Sequence, residues 1–230
     1  MGIDLQTHAD WLHAALPPWP RDVIPVRCLV PAQYGAYARI LHPVDRMGDD
    51  GEWSPMRWAE HIEAFGPVIV DGHPVDHLGN GGTLSAPSTG WIDRRLLPHL
   101  LPLLSRDREE SIAVGVWLGF GGFRTPPGTP TVAVPGRRYA LATCPLRAVG
   151  DLGAHLGWPG MSDLVPQVWW PADRSWYVAS DIDLEWTYVG GSEELVAAIL
   201  AEPALEAARV QPDDSVVDVP GVVSLTRETP

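Results

Sequence analysis

The hydrophobic pattern is clearest between residues 167 and 191, QVWWPADRSWYVASDIDLEWTYVGG, where four of the eleven tryptophans and a row of carboxylates fall together. Residues 174–179 are apolar on both sides, with Trp176 and Val178 opposite Tyr177 and Ala179, which predicts a central strand covered on both faces. Past a polar turn near Ser180 the chain alternates. Asp181, Asp183, Glu185 and Thr187 fall on one side and Ile182, Leu184, Trp186 and Tyr188 on the other, the period of a half-buried antiparallel strand. Gly190 and Gly191 are expected to break it. Ser192 then reads as the N-cap of a helix with Glu193 and Glu194 in its first turn and a narrow stripe of Leu195, Val196, Ile199 and Leu200, stopped near Pro203.

Upstream, Leu5, Trp11, Leu12 and Leu16 sit near helical spacing and Pro17-Pro18 ends that helix. Residues 37–42 predict a strand, and residues 44–53 an acidic loop. Ser54-Pro55 reads as N-cap and N1 of a helix with Trp58, Ile62 and Phe65 on one face. A brief strand is expected at 67–70 and, at 71–95, an irregular segment of the kind that is either functional or disordered. Residues 96–104 predict a leucine-dense helix, 111–118 an apolar strand, 131–134 and 138–143 a hairpin about Pro135-Gly136, and 148–166 a short helix and loop. Together these elements predict an α+β fold in which a mainly antiparallel sheet packs with several short helices. One domain over residues 1–210 and a partly flexible tail over 211–230 are expected.

Composition narrows the function classes. The net charge of −13 comes from 29 acidic and 16 basic residues, and every basic residue is arginine. The absence of lysine removes Schiff-base chemistry and the lysine of a phosphate-binding loop. It also fits a chain encoded by GC-rich DNA. An acidic surface without a basic stripe disfavours nucleic acid. Cys28 and Cys144 are too few for a disulfide framework and stand in no metal-binding spacing, so buried thiols are expected. With no signal-like N-terminus and no apolar run of the ~20 residues a membrane helix needs, the expected location is cytoplasmic, away from membranes.

Candidate chemistry is sparse. The Asp181, Asp183 and Glu185 row offers oxygen ligands to Mg²⁺ or Ca²⁺. Same-face residues of a strand lie about 6.5–7 Å apart, however, which favours a solvated polar face over a shared ion. His73 and His77 bracket Asp76, a set suited to zinc or to general-base work, but Pro74 argues against a regular helix that would give them a common side. Ser85 or Ser88 would have to serve a hydrolase without a nucleophile elbow. The glycines of GFGGF at 119–123 precede Arg-Thr-Pro-Pro rather than a helix, so they read as a turn. Trp53, Trp91, Trp117, Trp158, Trp169 and Trp170 fall near turns or strand ends, and Trp169, Trp170, Trp117 and Trp91 are the candidate binding residues, although core packing competes for all of them.

The segments WPADRSWYVASDIDLEWTYVGG, LVPAQYGAYARILHPV and SIAVGVWLGFGG resemble a group of uncharacterised actinobacterial proteins, a likeness that spans most of the chain and implies no activity. An N-terminal helix followed by VPAQYGAYARIL also resembles the SMI1/KNR4 immunity-protein superfamily, which implies an intracellular binder of toxins or other proteins. His42-Pro43 stands where that superfamily carries Asn-Gly. The expected role is therefore protein recognition, immunity-like or regulatory, without a cofactor. A metal-dependent hydrolase using the Asp/Glu or His candidates, and a small-molecule binder with a tryptophan-lined cleft, are the alternatives.

Overall fold

A computed structural model describes residues 3–65, 68–70, 75–77, 83–85, 87–121, 123–158, 164–218 and 222–224. In chain order, α1 (Leu5–Ala15) leads to β1 (Ala36–Leu41), the hairpin β2 (Val44–Met47) and β3 (Trp53–Met56), and α2 (Trp58–Phe65). Short strands β4 (Val68–Val70), β5 (Val75–His77) and β6 (Thr83–Ser85) precede α3 (Leu97–Leu104) and β7 (Ser111–Trp117). The hairpin β8 (Thr131–Val134) and β9 (Arg137–Pro145), then α4 (Leu152–Leu156), lead to β10 (Val168–Pro171), β11 (Tyr177–Ser180) and β12 (Trp186–Gly191). The chain continues through α5 (Glu193–Ala201), β13 (Ala207–Val210) and β14 (Val222–Ser224). The fold is α+β.

Eight strands form one antiparallel sheet in the order β13-β1-β12-β11-β10-β7-β9-β8. Both of its faces are covered. Leucines 97, 100, 101 and 104 of α3, Leu152 of α4 and Val196 and Ile199 of α5 pack on one face against Ile40, Val114, Trp169 and Val189. On the other, Ala9 and Leu12 of α1, with Val26, Val30 and Val216, cover Tyr37, Trp170, Tyr177, Trp186 and Tyr188. Two-sided burial explains why β10, β11 and β12 are buried at every position and read as apolar runs. A second antiparallel sheet, β3-β2-β6-β5, and the parallel pair β14-β4 complete the strands.

Several local signals act as the sequence implies. Asp4 accepts hydrogen bonds from the Gln6 and Thr7 amides at the start of α1, and Ser192 accepts one from Leu195 N at the start of α5. Both thiols are buried. Residues 44–47 form β2 rather than a loop, and two further elements differ from expectation. Ser54-Pro55 lies in β3, and α2 begins later, at Trp58. Its first amides are satisfied from a distant part of the chain, because the Glu206 carboxylate accepts from Trp58 N at 2.8 Å and Ala59 N at 2.6 Å. Gly190 and Gly191 continue β12 rather than breaking it. Residues 214–216 bond to the body: Trp186 Nε1 and the Tyr188 hydroxyl both donate to Val216 O at 2.9 Å, and Val26 N donates to Asp214 O.

Gly190 is glycine because the covering layer comes down onto the strand there. A Cβ at this position would stand 2.5 Å from Tyr34 Cδ2 and 2.7 Å from Val30 Cγ1. Gly190→Ala should therefore destabilise the protein by about 1–3 kcal/mol, read as a lower denaturant midpoint with an unchanged slope. An unaltered midpoint would show that the layer yields freely.

Candidate recognition surface

The β-register brings the ends of β1, β7 and β11 and the starts of β10 and β12 to one edge of the large sheet. The carboxylate row lies here, but not on a strand. Residues 181–185 form the turn between β11 and β12, closed by Leu184 N donating to Asp181 O and Asp183 N to Asp181 Oδ1. Asp181 is buried, and Arg137 answers its charge with Nε to Oδ2 at 2.9 Å and a terminal nitrogen to Oδ1 at 2.6 Å. The same guanidinium reaches Asp183 at 2.7 Å and stacks on Trp19, 4.7 Å from the ring centroid. The turn scatters the side chains that an extended strand would have aligned, and arginine occupies the place of a cation. Among the described residues no group of three or more His, Cys, Asp or Glu could hold a metal ion. His73 lies outside the described residues, as does the side chain of His77, whose backbone is in β5.

The four candidate tryptophans separate. Trp169 and Trp170 are successive residues of β10, so their rings enter opposite cores, and both are fully buried. Trp170 Nε1 donates to His8 Nδ1 at 2.8 Å, and its ring stacks on Tyr177. Both are core residues rather than a surface. Trp91 and Trp117 are partly buried and meet through Phe120, with ring centroids 5.8 and 5.1 Å away. The buried Gln167 assembles this patch, accepting from Trp117 N at 2.8 Å and donating to Gly90 O at 3.1 Å.

Behind the edge lies a buried polar chain. His42 Nδ1 is 2.5 Å from Ser88 O, a carbonyl that only accepts, so this nitrogen carries the proton. Nε2 then accepts from the Thr187 hydroxyl at 2.8 Å, and Thr187 accepts from Ser180 at 2.7 Å. Full burial pushes the His42 pKa down to about 4. The arrangement joins β1, β11, β12 and the loop at 88, and its burial makes it structural.

The most exposed large apolar side chains of the small sheet are Trp53, 43% exposed, and Met47, 37%. They are direct cross-strand partners and share one face of the β2-β3 hairpin. The opposite face is used internally, where Val44 and Leu84 pack on Trp58, whose Nε1 donates to His42 O at 2.7 Å. The connecting turn carries exposed Asp49, Asp50 and Glu52 and is ordered by Gly48 N donating to Glu52 O, Glu52 N to Asp50 Oδ1, and Gly51 at φ +80. Arg95 fixes the base of the hairpin, donating to Asp45 Oδ1 at 2.7 Å, Pro43 O at 3.2 Å and both Asp93 oxygens. β3 is an edge strand, and Pro55 removes one of its amide donors. Side chains, rather than strand addition, are therefore what this edge presents. Sequence reasoning did not select Trp53 as a binding residue, because the strand that displays it was read as loop and helix start.

The low pKa of His42 makes stability depend on pH. Between about pH 6.5 and pH 4 the unfolded chain takes up a proton that folded His42 refuses, so this stability is complete above the ordinary histidine pKa and is lost as pH falls towards 4. The loss should reach about 3 kcal/mol, measured by urea denaturation from pH 7 down to about pH 4. His42→Gln should be less stable at pH 7 and show a shallower decline. An equally steep decline in the variant would assign the effect to other groups.

No family model, curated protein or solved structure matches this chain, so the functional reading rests on its own geometry.

Proposed function

We propose that the protein is a recognition module for another protein, in an immunity-like or regulatory role, and that the β2-β3 hairpin is its docking element. The observation that carries this reading is the Trp53–Met47 pair, held exposed on a braced hairpin beside Asp49, Asp50 and Glu52. Tryptophan and methionine are enriched at interfaces, and an acidic rim beside an apolar anchor selects a partner with an apolar pocket edged by basic residues. The net charge of −13 acts in the same direction, speeding encounter with a basic partner. The half-buried Trp91, Phe120 and Trp117 patch is a second apolar surface, less exposed than the hairpin pair.

The test uses the full chain as bait in its native lysate, beside Trp53→Ala and Met47→Ala baits. A stoichiometric partner should be retained by the wild-type chain, released as salt is raised, and bound about 30-fold or more weakly by Trp53→Ala, the loss of an interface hot spot of roughly 2 kcal/mol. Melting temperatures should stay level, since both side chains are exposed. Recovery of no partner, or of one held equally by both variants, would overturn the proposal.

A further inference from the structure

We infer that the protein has a second binding site, for a small monoanionic carboxylate with a short aliphatic body, in a cleft of about 390 Å³ between β13, the start of α2 and the turn joining α5 to β13. This rests on observations separate from the hairpin. A cleft of this size, walled by apolar groups with a few converging polar ones, has the general form of a small-molecule site. Here Leu41, Leu200, Pro203 and Leu205 supply the apolar walls.

Of the two guanidiniums that line the cleft, Arg57 provides the recognition chemistry. Arg39 stands at the back of the cleft, only 4% exposed, and its guanidinium is already engaged, donating to Asp218 O at 2.7 Å and bonding the Tyr188 hydroxyl. Arg57, on the chain between β3 and α2, donates across to Pro203 O. A guanidinium carries five N–H donors in a planar fork, so Arg57 can hold that carbonyl and still present donors to a carboxylate.

Two carboxylates also line the cleft, and they set the ligand's charge. Glu206 is committed to the first amides of α2, and Glu202 accepts from Ala204 N at 3.2 Å with His99 Nδ1 3.7 Å away. Neither has reason to move, so their charges remain and oppose a dianion such as phosphate. One negative charge on an aliphatic body satisfies both Arg57 and the walls.

Titration calorimetry on the full chain, with acetate, hexanoate and inorganic phosphate as probes, tests the assignment. Hexanoate should bind one to one and more tightly than acetate, by roughly three- to fourfold for each added methylene. Arg57→Gln should weaken hexanoate about tenfold through loss of a charged hydrogen-bonding partner. Leu200→Glu, at an exposed wall position, should abolish binding, and neither variant should change the melting temperature. Absence of hexanoate binding, tighter binding of phosphate than hexanoate, or hexanoate binding unaffected by both substitutions would each overturn the inference.

Discussion

Because both faces of the eight-stranded sheet are covered, a polar side chain that its strands carry inward is cut off from water and gains from a partner inside the protein; Trp169 Nε1 and the Tyr177 hydroxyl are exceptions without one among the described residues. At the sheet edge near residues 42, 167, 180 and 187 this preference produces a connected set of bonds. Gln167 joins the loop at Gly90 to Trp117, and His42, Thr187 and Ser180 join β1, β11 and β12 to the loop at Ser88. On the opposite face, Trp186 and Tyr188 bring the segment before residue 218 onto the sheet through one carbonyl, that of Val216. All of these bonds except Ser180–Thr187 close long loops of chain. Losing one leaves a buried donor or acceptor unsatisfied and loosens two elements at once.

Two charged side chains carry the same logic outward. Arg95 ties β2 to the segment that enters α3, and Glu206 holds the first turn of α2 against the strand at the sheet's edge. The inner face of the small sheet is consumed by packing on Trp58, so its outer face is what the molecule displays. Arg57 stands where these features meet, between the hairpin that presents Trp53 and the cleft that contains Arg39. The exposed apolar pair and the arginine cleft are neighbours along the chain but differ in chemistry. One suits a protein surface, and the other a small anion.

The arginine-only cation set shapes both. A planar guanidinium makes several directed bonds at once, and Arg95 and Arg137 each hold two carboxylates. A carboxylate row that could have attracted a hard cation is instead drawn into a turn around Arg137. The hairpin turn keeps three exposed carboxylates, Asp49, Asp50 and Glu52, without an arginine bond among the described residues.

Much of the fold was legible in the sequence. The helices at α1, α3 and α5, the apolar strands β7 and β11, the hairpin of β8 and β9, and the N-cap at Ser192 all follow from periodicity, proline and capping chemistry, which act over a few residues. The site was less legible. Alternation in residues 181–185 matched a strand, yet the Asp181 side chain closed a turn by bonding the Asp183 amide, a local competition that pattern alone does not resolve. Trp169 and Trp170 looked like the edge of a core until the pairing of β10 between β7 and β11 placed them at its centre. The start of α2 was misplaced because its cap, Glu206, lies far along the chain. Local sequence thus determined most, though not all, of the segments that form helix or strand. Tertiary structure decided which tryptophans are buried, which carboxylates are paired and which hairpin face meets solvent, since those outcomes depend on contacts between residues far apart in the chain.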